Sequence, residues 1–150
     1  MMDAKIIAIS ISRAKGQKKT NIPEAELVVN HGIEGDAHAG PWHRQLSLLG
    51  IESIELMRRS GADVNPGDFA ENITVEGLTL FQLPVGTKLA LGKTIVEVTQ
   101  IGKECHQGCE IMQQVGSCIM PTQGIFGRVL EGGKIQVGDA VRIVEEPVNA

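Results

Sequence analysis

The sequence has little cysteine, no excess of positive charge and no long apolar run, and each shortage closes off a class of protein. Its three cysteines, Cys105, Cys109 and Cys118, are too few and odd in number for a complete disulfide framework. A formal net charge of −4 sets the global field against polyanions, so neither duplex nucleic acid nor an anionic membrane face is an expected partner. No stretch reaches the roughly 20 apolar residues that a membrane-spanning helix needs. The opening run, MMDAKIIAISISRAKG, carries Asp3 and lacks the apolar core and small-residue cleavage site of a signal peptide. A cytoplasmic location with reduced thiols is therefore the expectation.

Several catalytic signatures are missing as well. Gly32-Ile33-Glu34-Gly35-Asp36 lacks the lysine and hydroxyl that make a P-loop, so a nucleotide fold has no support. There is no nucleophile elbow, no Ser/His/Asp pattern and no C-x-x-C redox pair.

What is present is the composition of a folded domain, 42% hydrophobic and 21% charged residues over 150 positions. That length encloses a hydrophobic core without covalent staples, and no linker or repeat divides it. One domain over residues 1–150 is expected, with its core at about 5–144 and a frayed tail at 145–150.

Alternating or β-branched runs predict strands at residues 5–12, 26–30, 44–49, 69–75, 87–91, 94–101, 124–130 and 135–144. Gly92-Lys93 and Gly132-Gly133 read as turns, as does Asn65-Pro66-Gly67-Asp68. Residues 52–60 give the best helix, with Ile54, Leu56 and Met57 on its apolar side and Gly61 as a stop. Residues 31–43, loaded with glycine and Pro41, demand a loop, and 105–118 read as turn-like with one helical turn. Many short strands punctuated by glycine, with one or two short helices, predict a mainly β fold, a closed or partly open barrel, with a sandwich as the alternative.

The four histidines fall in two places only: His31, His38 and His43 in the glycine-rich loop, and His106 beside Cys105. If the two segments meet at one mouth of a barrel, imidazoles surround the thiol, and Lys103 and Arg128 add to the same positive field. Such a field lowers the thiol pKa and raises the fraction of thiolate, the form that acts as nucleophile or metal ligand. Asp36 either orients an imidazole or caps the turn.

The run Cys105-His106-Gln107-Gly108-Cys109 permits more than one chemistry. Cys105, Cys109, Cys118 and loop histidines could form a zinc site, although no second cysteine knuckle is present. A single working thiol at Cys105 is the second reading, and three small buried hydrophobes the third. The basic run Arg13, Lys15, Lys18 and Lys19 reads as a solvated loop, with a small anionic ligand as the alternative.

Taken together, Gly32-Ile33-Glu34-Gly35-Asp36-Ala37-His38-Ala39-Gly40, His43-Arg44-Gln45-Leu46-Ser47-Leu48-Leu49 and Gly67-Asp68-Phe69-Ala70-Glu71-Asn72-Ile73 resemble the MOSC family, named for the C-terminal domain of molybdenum cofactor sulfurase. The similarity continues through Leu83-Pro84-Val85-Gly86-Thr87, the Cys105 run, Gly124-Ile125-Phe126 and Gly138-Asp139, about residues 5–144 in all.

The resemblance implies a β-barrel-like fold and a cysteine, matching Cys105, that holds molybdenum as a thiolate ligand or carries sulfur as a persulfide. It implies the molybdenum cofactor (molybdopterin) as ligand, and as partners a sulfur donor such as a cysteine desulfurase, or molybdenum enzymes. Family members act as sulfur carriers, as cofactor binders, or as parts of reductases of N-hydroxylated substrates. This chain resembles the short version without the pyridoxal-phosphate desulfurase domain, so no pyridoxal phosphate is expected in it. His38, His43, Arg44, His106, Asp36, Lys103 and Arg128 are the candidate cofactor-binding residues. Arg13, Lys15, Lys18, Lys19 and Arg44 are candidate donors to a pterin phosphate. Two alternatives stand beside this reading: a zinc-binding, non-catalytic module, and an interaction domain that delivers cofactor to a molybdenum enzyme.

Overall fold

A computed structural model describes residues 4–14, 19–61, 63–102 and 123–146. Over these residues the chain forms β1 (Ala4–Ile11), β2 (Thr20–Ile22), β3 (Glu24–Val28), β4 (Gly32–Ile33), β5 (Leu46–Gly50), α1 (Ile51–Arg59), β6 (Ile73–Glu76), β7 (Lys88–Leu91), β8 (Thr94–Ile101), β9 (Ile125–Glu131), β10 (Gly133–Gln136) and β11 (Ala140–Glu145), with a 3-10 turn at Leu80–Gln82.

Seven strands run in the order β11-β7-β8-β9-β5-β6-β1, and the sheet closes because β1 also pairs with β11, Ala4 opposite Val141 and Lys5 opposite Ala140. Closure removes the free edges that an open sheet would expose. The other end of the same β1 edge pairs with β2, Ile11 opposite Thr20. A small second sheet, β10-β3-β4, lies beside the barrel.

Alternation decides which side chains fill the barrel. Ile6, Leu48, Ile73, Leu89, Leu91, Val96 and Ile125 are inaccessible to solvent and form one continuous core with Leu27, Ile33 and Ile135 from the small sheet. Each such side chain contributes about 1.5–3 kcal/mol of burial free energy.

β5 and β6 are parallel, which requires a crossover, and α1 supplies it. The helix buries Ile51, Ile54 and Met57 against Leu49, Val64, Phe69 and Phe126 on the outside of the barrel. Glu52 in its first turn and Arg58 and Arg59 in its last complement the helix dipole.

At Gly127 in β9 an added Cβ would stand 2.6 Å from Val96 Cγ1 and 2.9 Å from the Glu97 carbonyl oxygen. A side chain there would wedge β8 away from β9, so glycine is what lets the two strands close.

The mainly β barrel and the helix match the sequence reading, and β8 has the expected bounds. Four details differ. The strand expected at 69–75 begins only at Ile73, because Asp68 Oδ2 accepts the Asn65 N–H at 2.8 Å and closes a turn, and Ala70 adopts a φ of 65°. The strand expected at 135–144 is two strands in different sheets, broken where Gly138 takes a φ of 100° and Asp139 Oδ2 accepts the Gln136 N–H. Leu56 lies on the exposed side of α1 rather than its apolar side. β2 and β4 had no signal: at three and two residues they exist only through their partners β1 and β3.

Candidate functional site

The loop joining β4 to β5 carries Asp36, His38, His43 and Arg44, and its two ends are held by Gly32 and Gln45. Gly32, at a φ of 122°, lies so close to the chain that an added Cβ would stand 2.3 Å from the Gln45 carbonyl oxygen. Gln45 itself is buried; its Oε1 accepts the Val129 N–H at 2.9 Å and its Nε2 donates to Asn30 Oδ1 at 3.0 Å. Between these anchors the loop forms two distinct groups.

The first is a buried ion pair. Asp36 Oδ1 lies 2.7 Å from Lys19 Nζ, with both side chains closed to solvent at 0% and 1% exposure. The same oxygen accepts the Ser12 N–H at 3.1 Å, and Oδ2 accepts the His38 N–H at 3.3 Å. Burial alone would push the Asp36 carboxyl up. The Lys19 hydrogen bond and charge, the Ser12 amide and the Asn72 side chain outweigh it, so Asp36 ionises below the ordinary value. Lys19 Nζ also sits 3.1 Å from His38 Nδ1.

Lys19 is thus a correction to the sequence reading: it does not belong to a solvated basic loop, because its ammonium is drawn inside by the Asp36 carboxylate. Arg13 is exposed, and Lys15 and Lys18 lie outside the described residues. Asp36 both closes the turn, through the His38 amide, and reaches the His38 imidazole through Lys19.

The second group is Trp42, His43 and Arg44. Trp42 Nε1–H donates to the His38 carbonyl at 2.9 Å, which ties the two groups together. The Arg44 guanidinium stacks 4.6 Å from the Trp42 ring centroid and 5.7 Å from that of Phe126. Its Nε is shut off from solvent and has no hydrogen-bond partner among the described residues. His43 packs edge-on against Trp42, with ring centroids 5.8 Å apart. Its Nε2 lies 2.9 Å from Gln100 Oε1, its carbonyl accepts the Thr99 hydroxyl, and Gln100 Nε2 donates to the Gly102 carbonyl at 2.7 Å.

These contacts bring His43 and Arg44 to the end of the β8–β9 ribbon, where Ile101 pairs with Ile125. Gly102 is the last described residue before the segment that carries Lys103, Cys105, His106, Cys109 and Cys118, all of which lie outside the described residues. Arg128 stands further along β9, exposed, with Nε 2.7 Å from Glu97 Oε1, so its charge is met by that carboxylate. Among the described residues no three His, Cys, Asp or Glu side chains are grouped to hold a metal.

Sequence reasoning missed a third element, the Gly67–Asn72 loop. Asn72 Nδ2 donates to the Ser10 carbonyl at 3.0 Å while Oδ1 accepts the Ser47 N–H at 2.9 Å, tying β1 to β5. Beside it Glu71 is inaccessible to solvent, accepting the Phe69 N–H and the Thr74 hydroxyl at 3.2 and 3.1 Å. Burial raises its pKa to about 7, against the opposing effect of these bonds and of the Gly67 and Glu71 amides. In the sequence this loop shows only in its first residues, where Asn65-Pro66-Gly67-Asp68 reads as a turn, and in the run Gly67 to Ile73 that resembles the family.

The family description "MOSC domain" matches residues 35–142. No curated protein matches the chain. Among solved structures, the YuaD protein from Bacillus subtilis superposes with a TM-score of 0.77 at 20% identity, covering 93% of this chain and 94% of that one. YiiM from Geobacillus stearothermophilus gives 0.71 at 22% identity, covering 95% and 75%, and YiiM from Escherichia coli gives 0.66 at 21%, covering 97% and 72%. At these identities the likeness is one of fold. Among the described residues no helix is long and apolar enough to cross a membrane.

Proposed function

The chain belongs to the MOSC domain family, a family of molybdenum-cofactor-related domains, and from that premise we propose that it binds the molybdenum cofactor or carries sulfur through the thiol of Cys105. The observation that carries the reading is the position of His43 and Arg44. They are held against the β8–β9 ribbon, at its very end, where the Cys105 segment begins. Arg44 is a permanent cation, and a fixed cation near a thiol favours the thiolate.

The residues present fit the cofactor. Arg44 Nε, buried and without a partner among the described residues, suits an anionic group such as the pterin phosphate, since a charge-assisted bond would satisfy it. Arg44, His43, His38 and Lys103, with His106, would hold the cofactor; Asp36 would act indirectly, by anchoring Lys19 and the turn, and Arg128, whose charge Glu97 already meets, would add little. When bound, the cofactor supplies a thiophilic, redox-active molybdenum centre, and soft thiolate sulfur from Cys105 is a matching ligand.

In the sulfur-carrier role, the Cys105 thiolate attacks the outer sulfur of a donor persulfide, such as that of a cysteine desulfurase. The donor's S–S bond breaks, a new one forms at Cys105, and the donor leaves as a thiolate with no net redox change.

Mass spectrometry of the full chain and of Cys105→Ser, each incubated with purified molybdenum cofactor and separately with a persulfide donor, tests both roles. Retention of the cofactor, or a gain of one sulfur atom, by the native chain alone is expected. Equal behaviour of both proteins removes the proposal.

A further inference from the structure

The two loop imidazoles are held by opposite ring nitrogens. An ammonium can only donate, so the 3.1 Å contact from Lys19 Nζ makes His38 Nδ1 the acceptor and leaves the ring proton on Nε2. Lys19 is an ammonium because Asp36, itself buried and ionised, lies 2.7 Å away. At His43 the arrangement is reversed. Gln100 Nε2 must face the Gly102 carbonyl at 2.7 Å, which turns its Oε1 toward the ring, and an amide oxygen only accepts. His43 Nε2 therefore carries the proton and spends it on Gln100, leaving Nδ1 as its basic nitrogen.

We infer that Lys19 and Gln100 are positioning residues that give the two histidines different duties, His38 as a neutral Nε2–H hydrogen-bond donor and His43 as an acceptor through Nδ1. Trp42 keeps the two in one frame, hydrogen-bonded to the His38 carbonyl and packed edge-on against the His43 ring. The ligand chemistry follows. His38, whose Nδ1 is taken up by Lys19, does not ligate a metal through that nitrogen. His43 accepts a hydrogen bond at Nδ1 from a thiol, a hydroxyl or an N–H.

This deepens the cofactor and sulfur-carrier reading, since it names what each imidazole does in that site. Its test is nonetheless independent of cofactor, because tautomers are read on the protein alone. Long-range 1H–15N correlation of the full chain at neutral pH should show both rings protonated at Nε2, with coupling across the Lys19–His38 hydrogen bond. Gln100→Leu should blur the His43 tautomer and leave His38 as it was. Lys19→Met combined with Asp36→Asn, which avoids a lone buried charge, should change His38 alone.

A proton on Nδ1 of either ring in the native chain overturns the inference and needs no variant to detect. So does a Gln100→Leu spectrum in which His43 is unchanged, or one in which both rings move together.

Discussion

Glu71 is a carboxyl that the fold keeps out of water, and replacing it with glutamine should remove a defined part of the pH dependence of stability. Its folded pKa is about 7 against an ordinary value of 4.5, chiefly through burial. A raised pKa means that the folded chain holds this proton more tightly than the unfolded chain. The contribution is fully present below about pH 4.5 and is lost as pH rises through about 7. At about 1.36 kcal/mol per unit the whole effect is roughly 3 kcal/mol, of which roughly 2.5 falls between pH 5 and pH 8. Asp36 works in the other direction and in another window. Its lowered pKa gives stability that is present above the unfolded carboxylate value and fades as pH falls through the folded one. Urea denaturation of the native chain and Glu71→Gln at pH 5 and pH 8 isolates the term. The substituted amide cannot titrate, yet its oxygen still accepts from the Phe69 N–H and it still meets the Thr74 hydroxyl. The native chain should lose roughly 2.5 kcal/mol more than the variant over that interval. Equal losses would refute the account of Glu71 as a buried neutral acid.

Three further outcomes follow from the same geometry. Asp36→Asn takes the carboxylate away from beside the buried Lys19 ammonium and should cost about 3–5 kcal/mol in denaturant unfolding, whereas Glu34→Gln, an exposed change in the same loop, should cost almost nothing. Gly127→Ala forces a methyl against Val96 and the Glu97 carbonyl and should destabilise the chain by about 1–3 kcal/mol, with a smaller penalty when paired with Val96→Ala. Arg44→Ala removes the cation from the face of Trp42, the chain's single tryptophan, so its fluorescence should shift while unfolding free energy falls by about 0.5–2 kcal/mol.

Local pattern made the barrel legible. The alternation of Thr94–Ile101 and its Gly92-Lys93 turn located β8 and the hairpin with β7, and the glycines of residues 31–43 announced a loop. Legibility ended where an element depends on something distant in sequence. β2 and β4 are too short to show a period, and the break between β10 and β11 rests on one positive φ at Gly138 and an aspartate side chain. The site divides in the same way. Clustered histidines flagged the loop, but nothing in the run around Lys19 distinguishes a lysine that folds inward onto Asp36 from one that points to water. Glu71 and Asn72 looked like strand residues, because their partners are the Thr74 hydroxyl on one side and Ser10 and Ser47 on two other strands. Cys105, His106 and Lys103 lie outside the described residues, so their roles remain with the proposal.

The ionisation of Cys105 bears most directly on the central claim. In a chain where Cys109 and Cys118 are replaced by alanine, the rate of iodoacetamide alkylation against pH follows the remaining thiolate. The account predicts rapid reaction of the folded chain with a midpoint below about 8.5, the value of an unperturbed cysteine. A midpoint at or above that value, or a thiol that reacts only once the chain is unfolded, would contradict it.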